Sequence, residues 1–419
     1  MDPYRRVLAR PGVRALLAVS LLARLPVTAA GLTLTMHVVQ DMGRGYGAAG
    51  LVGAVYTIGL ALGAPLLGRL VDRRGLRAML VLTTVVEAAF WVVAPVLSFP
   101  LLLLAALPGG LLTIPVFSVT RQSIAALVGE SDWRPAYALD SMSVELCYMA
   151  GPMLAVLLIR VSVAWAMLAV GASVVLSGAL LSALNPPIRG EDEATPGADQ
   201  TVRRRDWLRP RFVALLLVVV AAAMALSGTE VSIVATLRAA DQFGWAGLVL
   251  TAWSTYSLLG AFVYGTLHRH VSPAVLVGLL ALATVPLAAV TNWWTLCLLL
   301  LPAGALCAPS VAASADGVSR MTPAAARGEA MGLHGSALTA GTAIGTPLAG
   351  AVIDATSPGW GYAVVGLVGA VTAALMLPAQ RQRATPAPLP AVPAAAVAQP
   401  VAAPSEAAVA REVTSGRRR

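Results

Sequence analysis

Lysine is absent from the chain: all 29 basic residues are arginine, a bias in keeping with a GC-rich coding sequence and silent about function. Charge of either sign is scarce, at 12% of residues, against roughly 25% in a soluble domain. Together with 58% hydrophobic residues, that scarcity excludes a soluble globular protein. Cysteine is limited to Cys147, Cys297 and Cys307, an odd number inside apolar stretches with no paired metal-ligand spacing. A disulfide framework and a cysteine metal site are thereby excluded, and the three read as small packing residues. No G-x-x-x-x-G-K-[ST] phosphate loop, His/Cys cluster or nucleophile elbow occurs. Neither an enzyme nor a single-chain ATP-driven pump is expected, and no cofactor or metal.

What the chain has is long apolar runs. A crossing of the hydrocarbon core takes roughly 20 mostly apolar residues at about 1.5 Å each. Twelve such stretches are predicted: 13–38, 48–68, 78–99, 101–127, 136–159, 162–184, 212–236, 246–267, 273–291, 294–315, 330–353 and 360–377. The first is too long for a secretory signal and eleven follow it, so it reads as an uncleaved helix. Arginines crowd the N-terminal arm (Arg5, Arg6, Arg10, Arg14), the second connection (Arg69 to Arg77) and the sixth (Arg203 to Arg211). Odd-numbered connections hold only single arginines such as Arg44, Arg160 and Arg238. Both termini are therefore expected in the cytoplasm. The net charge of +9 then reflects this bias and attraction to anionic lipid, with no nucleic-acid partner expected.

The chain also repeats itself. At an offset of 197, Ala49 to Val52 meet Ala246 to Val249, and Gly63, Gly68 and Leu70 meet Gly260, Gly265 and Leu267. At 194, LPGGLLTIP from Leu107 meets LPAGALCAP from Leu301. Six crossings return the chain to its starting side, so the copies are parallel repeats about an axis along the membrane normal. The expected fold is all-α: two pseudo-symmetric six-helix bundles. The bundles are expected at 1–185 and 212–378, joined by a cytoplasmic linker at 186–211 that carries Glu191, Asp192 and Glu193. An Ala/Pro-rich tail at 379–419 cannot bury a core and is expected to be disordered.

Between the second and third spans the chain reads GRLVDRRGLR, from Gly68 to Arg77. Gly68, Leu70, Asp72, Arg73 and Gly75 match the G-x-L-x-D-R-x-G-R motif of the major facilitator superfamily, which the chain resembles over residues 10 to 378; Leu76 replaces one basic residue. The second-half copy at Gly265 has His268 and Arg269 around the aspartate's position. The resemblance implies a twelve-helix bacterial drug or metabolite efflux type in the inner membrane, monomeric, with a small-molecule substrate. It also implies that Asp72 holds one state by meeting a neighbouring helix end and a helix-four arginine, for which Arg121 is placed. Asp140 lies at similar depth, and a cytoplasmic cluster of Asp72, Arg121 and Asp140 is expected, either switching with state or as a permanent ion pair.

Arg24, Glu87 and Glu145 lie about 13 to 18 Å from that boundary and should pair or face water. Arg24 is expected to pair with Glu145 or Glu87. Glu145 and Glu230 are candidate proton carriers in the central cavity; the alternatives are a static partner of Arg24 and a vestibule acid. His334 could titrate, although a lone histidine is more often a hydrogen-bonded core residue. Thr33, Ser227, Thr229 and Ser310 are expected in a mostly apolar cavity. Gly151 with Pro152 and Gly345 with Pro347 should permit close helix contact and bending, and the helix-five Gly-Pro step is similar to the family's antiporter motif. The expected function is proton-coupled efflux of a small, moderately lipophilic molecule. An uptake symporter, a uniporter and a non-transporting scaffold or sensor stay open.

Overall fold

A computed structural model describes residues 2–190, 203–267 and 271–381. The linker acids Glu191 to Glu193, the second-half motif residues His268 and Arg269, and the tail beyond residue 381 lie outside the described residues. The helices are α1 (Asp2–Ala9), α2 (Val13–Met36), α3 (Tyr46–Arg74), α4 (Leu76–Val93), α5 (Phe99–Leu111), α6 (Val116–Leu127), α7 (Trp133–Ile159), α8 (Val163–Leu184), α9 (Arg204–Trp207), α10 (Pro210–Ala239), α11 (Ala246–Thr266), α12 (Pro273–Thr284), α13 (Trp293–Met321), α14 (Arg327–Ala355) and α15 (Pro358–Arg381). No strand occurs among the described residues. Among the described residues, eleven spans are long and apolar enough to cross a membrane. The twelfth, Pro273–Ala289, is shorter, and its last turn, Val285–Ala289, is 3-10 beside Pro286. This is the expected all-α architecture of twelve crossings in two bundles.

The internal repeat is visible as repeated contacts. A Cβ on Gly63 would lie 2.0 Å from Leu111 O, and one on Gly260, its partner at offset 197, would lie 1.9 Å from Ala305 O, the offset-194 partner of Leu111. Likewise Gly110 packs on Tyr56 O, and Gly304 on Trp253 and Tyr256. The α3–α5 joint of the first half thus recurs as α11–α13 in the second. Only backbone can approach so closely, which is why glycine stands at both positions.

One crossing breaks the symmetry. The fourth span is two helices, α5 and α6, separated at Leu112–Pro115, whereas α13 runs unbroken through Pro302 and Pro309. Pro115 disfavours helical backbone at Ile114, and the Ile114 N–H, left outside the helical ladder at the break, donates to the buried Glu87 Oε2 at 2.9 Å. Tyr56 Oη and Thr113 Oγ1, 2.8 Å apart, close the break from α3. Glu87 is therefore a helix-break cap and not the partner of Arg24 that its depth suggested.

The halves meet where α3 packs on α14 and α7 on α11 and α13. One buried apolar cluster crosses between them, joining Val7, Trp133 and Tyr137 to Phe212, Tyr264 and Met331. The remaining clusters stay within one half. The shared core lies at the end that carries α1, the α3–α4 turn and α9, the arginine-rich end.

Gly63→Ala and Gly260→Ala should each destabilise the protein by about 1–3 kcal/mol through overpacking. Gly50→Ala, where an added Cβ meets nothing within 4 Å, should be neutral. Thermal unfolding of the three purified variants checks the contrast.

Candidate functional site

The joint begins at the end of α3. Gly75, at φ 82°, closes the helix in a conformation that costs glycine little, and α4 starts at once. Gly68 and Asp72, four residues apart, share one helix face. Without a side chain at Gly68, α3 touches the start of α14; a Cβ there would lie 2.1 Å from Gly328 O. Asp72 then reaches the helix terminus: Oδ1 accepts from Gly328 N–H at 3.0 Å and Oδ2 from Glu329 N–H at 2.8 Å. A carboxylate suits that position, because the first N–H groups of a helix lack partners and carry partial positive charge. Gln122 Nε2 donates to Oδ1 at 3.0 Å, and Arg189 to the Asp72 carbonyl at 3.1 Å. Glu329 is held by Arg204 of α9, with Arg69 at 4.0 Å. Leu70 packs against the first-half core, and Arg73 is exposed.

The expected cluster of Asp72, Arg121 and Asp140 is thus divided. Gln122, not Arg121, is the helix-four partner of Asp72. Neighbouring residues on a helix point about 100° apart, so α6 turns Gln122 toward α3 and Arg121 inward. There Arg121 Nε donates to Asp140 Oδ2 at 3.1 Å, while Arg24 pairs with Oδ1 and donates to Ser143 Oγ at 2.6 Å. Arg24 and Asp140 are fully buried, and Arg24 lies over the Phe117 ring at 5.1 Å. Asp140, not Glu145 or Glu87, is therefore the partner of Arg24. Five residues separate Asp140 from Glu145, about 140° around the helix, so Asp140 faces its own half and Glu145 faces α11.

Glu145 Oε1 accepts from Ser257 Oγ of the second half at 2.8 Å, and that Oγ also accepts from Ala308 N–H at 3.2 Å. Glu230 is exposed near the outer part of α10. His334 bridges the halves, with Nδ1 3.2 Å from Arg121 Nη1 and Nε2 2.8 Å from Ser314 Oγ. Ser118 Oγ donates to Met331 O and Ser336 Oγ to Ala61 O on either side of it. Thr33, Ser227, Thr229 and Ser310, expected in the cavity, are instead buried with their hydroxyls on carbonyls of their own helices. Gly151 packs on Thr28, and Gly345 on Met224 and Ser227, each too tightly for a Cβ. Beside them Pro152 is half-buried and Pro347 exposed.

The second-half equivalent of the latch is different in kind. Gly265 is covered by Tyr4 of α1, whose ring stacks on Phe262 at 5.3 Å and whose hydroxyl donates to Phe262 O at 2.6 Å. Burial pushes the Tyr4 phenol up to about 12, so it stays a neutral donor. Arg134 donates to Leu267 O, and Arg320 and Arg327 lie 5.3 and 5.4 Å from the Trp133 ring. Sequence reading missed Gln122, Ser257, Ser314 and Tyr4. Only Gln122 left a signal, its place beside Arg121 on the helix wheel.

Toward the other end the joint opens. The stripe of α3 through Gly68, Ala64 and Ala61 continues to Gly53 and Gly50, and that of α14 through Gly328, Gly332 and Ser336 continues to Gly350. A Cβ on Gly50, Gly53 or Gly350 would meet nothing within 4 Å. Among the described residues, the α3–α14 joint is thus closed at the arginine-rich end and unpacked at these glycines.

The family model of the Major Facilitator Superfamily matches residues 16–288 and 246–412. The chain belongs to the major facilitator superfamily. Membership makes it a multi-pass membrane protein of a transporter family. No curated protein matches it by sequence. Among solved structures it is similar in fold to the human organic anion transporter MFSD10 (TETRAN), at 19% identity and TM-score 0.69, over 90% of this chain and 100% of that one. A bacterial homologue of the iron transporter ferroportin in an outward-facing state has 16% identity and TM-score 0.70 over 89% and 100%. The proton:xylose symporter XylE has 13% identity and TM-score 0.64 over 87% and 95%.

Asp140→Asn should destabilise the protein by about 3–5 kcal/mol, since it leaves two buried guanidiniums without a counter-charge. Asp72→Asn should cost no more than about 2 kcal/mol, the scale of a carboxylate at a helix N-terminus. Thermal unfolding midpoints of the two variants in one detergent should keep that order.

Proposed function

We propose that the protein is a secondary active transporter working by alternating access, and that it couples proton entry to the efflux of a small, moderately lipophilic molecule. One observation carries the reading: the joint between halves is sealed at one end by Asp72 on the start of α14 and open along the same stripe at the other. A contact made by a few polar groups on a glycine seam can be broken and remade without disturbing either bundle. The arginine bias supports an arginine-rich end facing the cytoplasm, with both termini there and the membrane the bacterial inner membrane. The sealed end is then the cytoplasmic one. Likeness to the outward-facing ferroportin homologue supports the same conformation here.

Proton coupling draws its support from Glu145 and Glu230. Tyr148 of α7, three residues beyond Glu145, is 59% exposed, which supports an open region beside that acid. Glu145 accepts from a hydroxyl of the opposite half, so its surroundings depend on how the halves meet. The apolar helix faces and the Gly151–Pro152 step support efflux of a lipophilic cargo. A monomer suffices for this cycle, with the 1–185 and 212–378 units rocking about the 186–211 linker.

Proteoliposomes with a trapped pH-sensitive dye test the reading whatever the cargo. A panel of lipophilic compounds should provoke proton movement under an imposed gradient. Glu145→Gln and Glu230→Gln should each lower it by at least about tenfold, since an amide carries no proton. If both variants kept wild-type proton movement, coupling through these acids would be wrong.

A further inference from the structure

His334 sits about two turns into α14, on the face that meets the first half. Its Nδ1 is 3.2 Å from Arg121 Nη1, across the joint, and its Nε2 is 2.8 Å from Ser314 Oγ. A guanidinium has only donors and stays protonated in proteins. The Arg121 contact is therefore a hydrogen bond only while Nδ1 keeps its lone pair. The ring proton then belongs to Nε2 and is donated to Ser314, whose own hydroxyl donates to Val311 O at 2.8 Å. Donors and acceptors run in one direction, from Arg121 through His334 and Ser314 to a backbone carbonyl. The ring in this conformation is the neutral Nε2–H tautomer.

We propose that His334 is the proton-sensitive pin of the arginine-rich joint: a proton added to Nδ1 removes the acceptor of Arg121, sets an imidazolium against a guanidinium, and releases the two halves at that end. The proposal rests on the proton-coupled reading above and names the group through which the proton acts on the joint. One proton is taken up, the Arg121 N–H···N contact is lost, and the Ser314 contact stays.

The charge nearest the ring is positive, and the group behind it is positive in sum. From α6 it faces Arg121, the charge that acts on it directly, and from α13 the neutral Ser314. Behind Arg121 stand Asp140 of α7 and Arg24 of α2, so the trio already sums to one positive charge. Asp140 has both oxygens committed to arginines. On α3, Asp72 is occupied at Gly328 and Glu329, five to six residues away along α14. On α13, Asp316 pairs with Arg320 at 3.0 Å. On α10 the acid is Glu230, exposed and toward the open side, and on α15 the Tyr362 hydroxyl lies 3.4 Å from Thr236. An imidazolium formed in the sealed joint thus faces a guanidinium, while in separated halves it faces water. Acid favours separation, and a proton released after opening lets the joint reform.

The test is a distance measurement by electron–electron spin resonance between labels at the exposed Arg77 and Pro323, on opposite halves, in full-length protein with Cys147, Cys297 and Cys307 replaced. In otherwise wild-type protein the widely separated population should rise as pH falls from about 8 to about 5.5, by up to about tenfold per pH unit, the limit for one linked proton. His334→Asn keeps an acceptor oxygen near the Nδ1 position and cannot titrate; its distances should stay short and change by less than about twofold over that range. A pH response of wild-type size in His334→Asn overturns the proposal. Should that variant not fold, ¹⁵N spectra of protein with His37, His268 and His270 replaced read the ring directly. An Nε2–H tautomer giving way to imidazolium as the halves separate supports the pin; a ring neutral throughout separation overturns it. Proton movement in the liposome assay keeps the two readings apart. Absent gradient-driven flux with intact pH-dependent distances rejects proton-coupled transport and leaves the pin standing, whereas wild-type coupling in His334→Asn rejects the pin.

Discussion

The approach of α3 to the first turn of α14 is the contact on which the rest of the molecule depends. Glycines at positions 68, 328 and 332 bring two backbones within a distance that any Cβ would prevent, and that closeness is what lets a side chain as short as Asp72 reach two N–H groups. The consequence extends along the helix. Once Gly328 is set on Gly68, the repeat of the helix brings Gly332 onto Ala64 and Ser336 onto Ala61, while Met331 and His334 are turned toward Ser118 and Arg121 of α6. One register thus fixes an electrostatic cap at the surface and a hydrogen-bonded histidine farther in. A slip of a single residue would rotate the face by about 100° and lose both.

Burial of charge sets the second constraint. Arg24, Arg121 and Asp140 sit where water is excluded, and an ion in such surroundings is tolerated only when its partners are close and its hydrogen bonds are made. Asp140 meets that demand for two guanidiniums at once, helped by Ser143 and the face of Phe117. This arrangement leaves one positive charge over, and that excess bears on the neighbouring ring. Glu87 answers a related demand: it accepts the Ile114 N–H that the helix break leaves free, so a buried carboxyl and a broken helix satisfy each other. Both are intramembrane acids, yet one holds three helices of a half together and the other shapes the fourth crossing.

The twelve apolar runs, the parallel repeat and the family motif were legible because each rests on a period or a spacing, and those survive in one dimension. Gly63 and Gly260 were paired by offset alone, and their contacts agree to within an ångström. Depth along a helix was legible too, since it needs only the rise per residue. Azimuth was not. Arg24, Glu87, Glu145, Arg121 and Asp72 were matched by depth, and the pairs came out rearranged because partners must also share a facing side. The same gap explains the misplaced hydroxyls at Thr33, Ser227, Thr229 and Ser310. A serine or threonine on an apolar helix can bond its own backbone and be buried, so its polarity says little about whether it faces a cavity.

The repeat makes the departures from symmetry informative. Gly68 and Gly265 are equivalent in sequence and equally crowded, yet the first is covered by a helix terminus of the other half and the second by the Tyr4 phenol from α1. The α3–α14 joint is therefore held by a full charge on a helix end, with a titratable ring behind it. The α7–α11 joint is flanked by the Tyr4 ring of α1 stacked on Phe262 of α11, and is held by Arg134 on a carbonyl and by the Glu145–Ser257 bond. Two joints of similar geometry but different chemistry respond differently to a proton. A charge added near Arg121 acts on the first joint directly and reaches the second only through α6 and α7. If the halves rock, the aromatic joint is the one suited to serve as the pivot, because apolar contacts tolerate small rotations that a carboxylate capping two N–H groups does not.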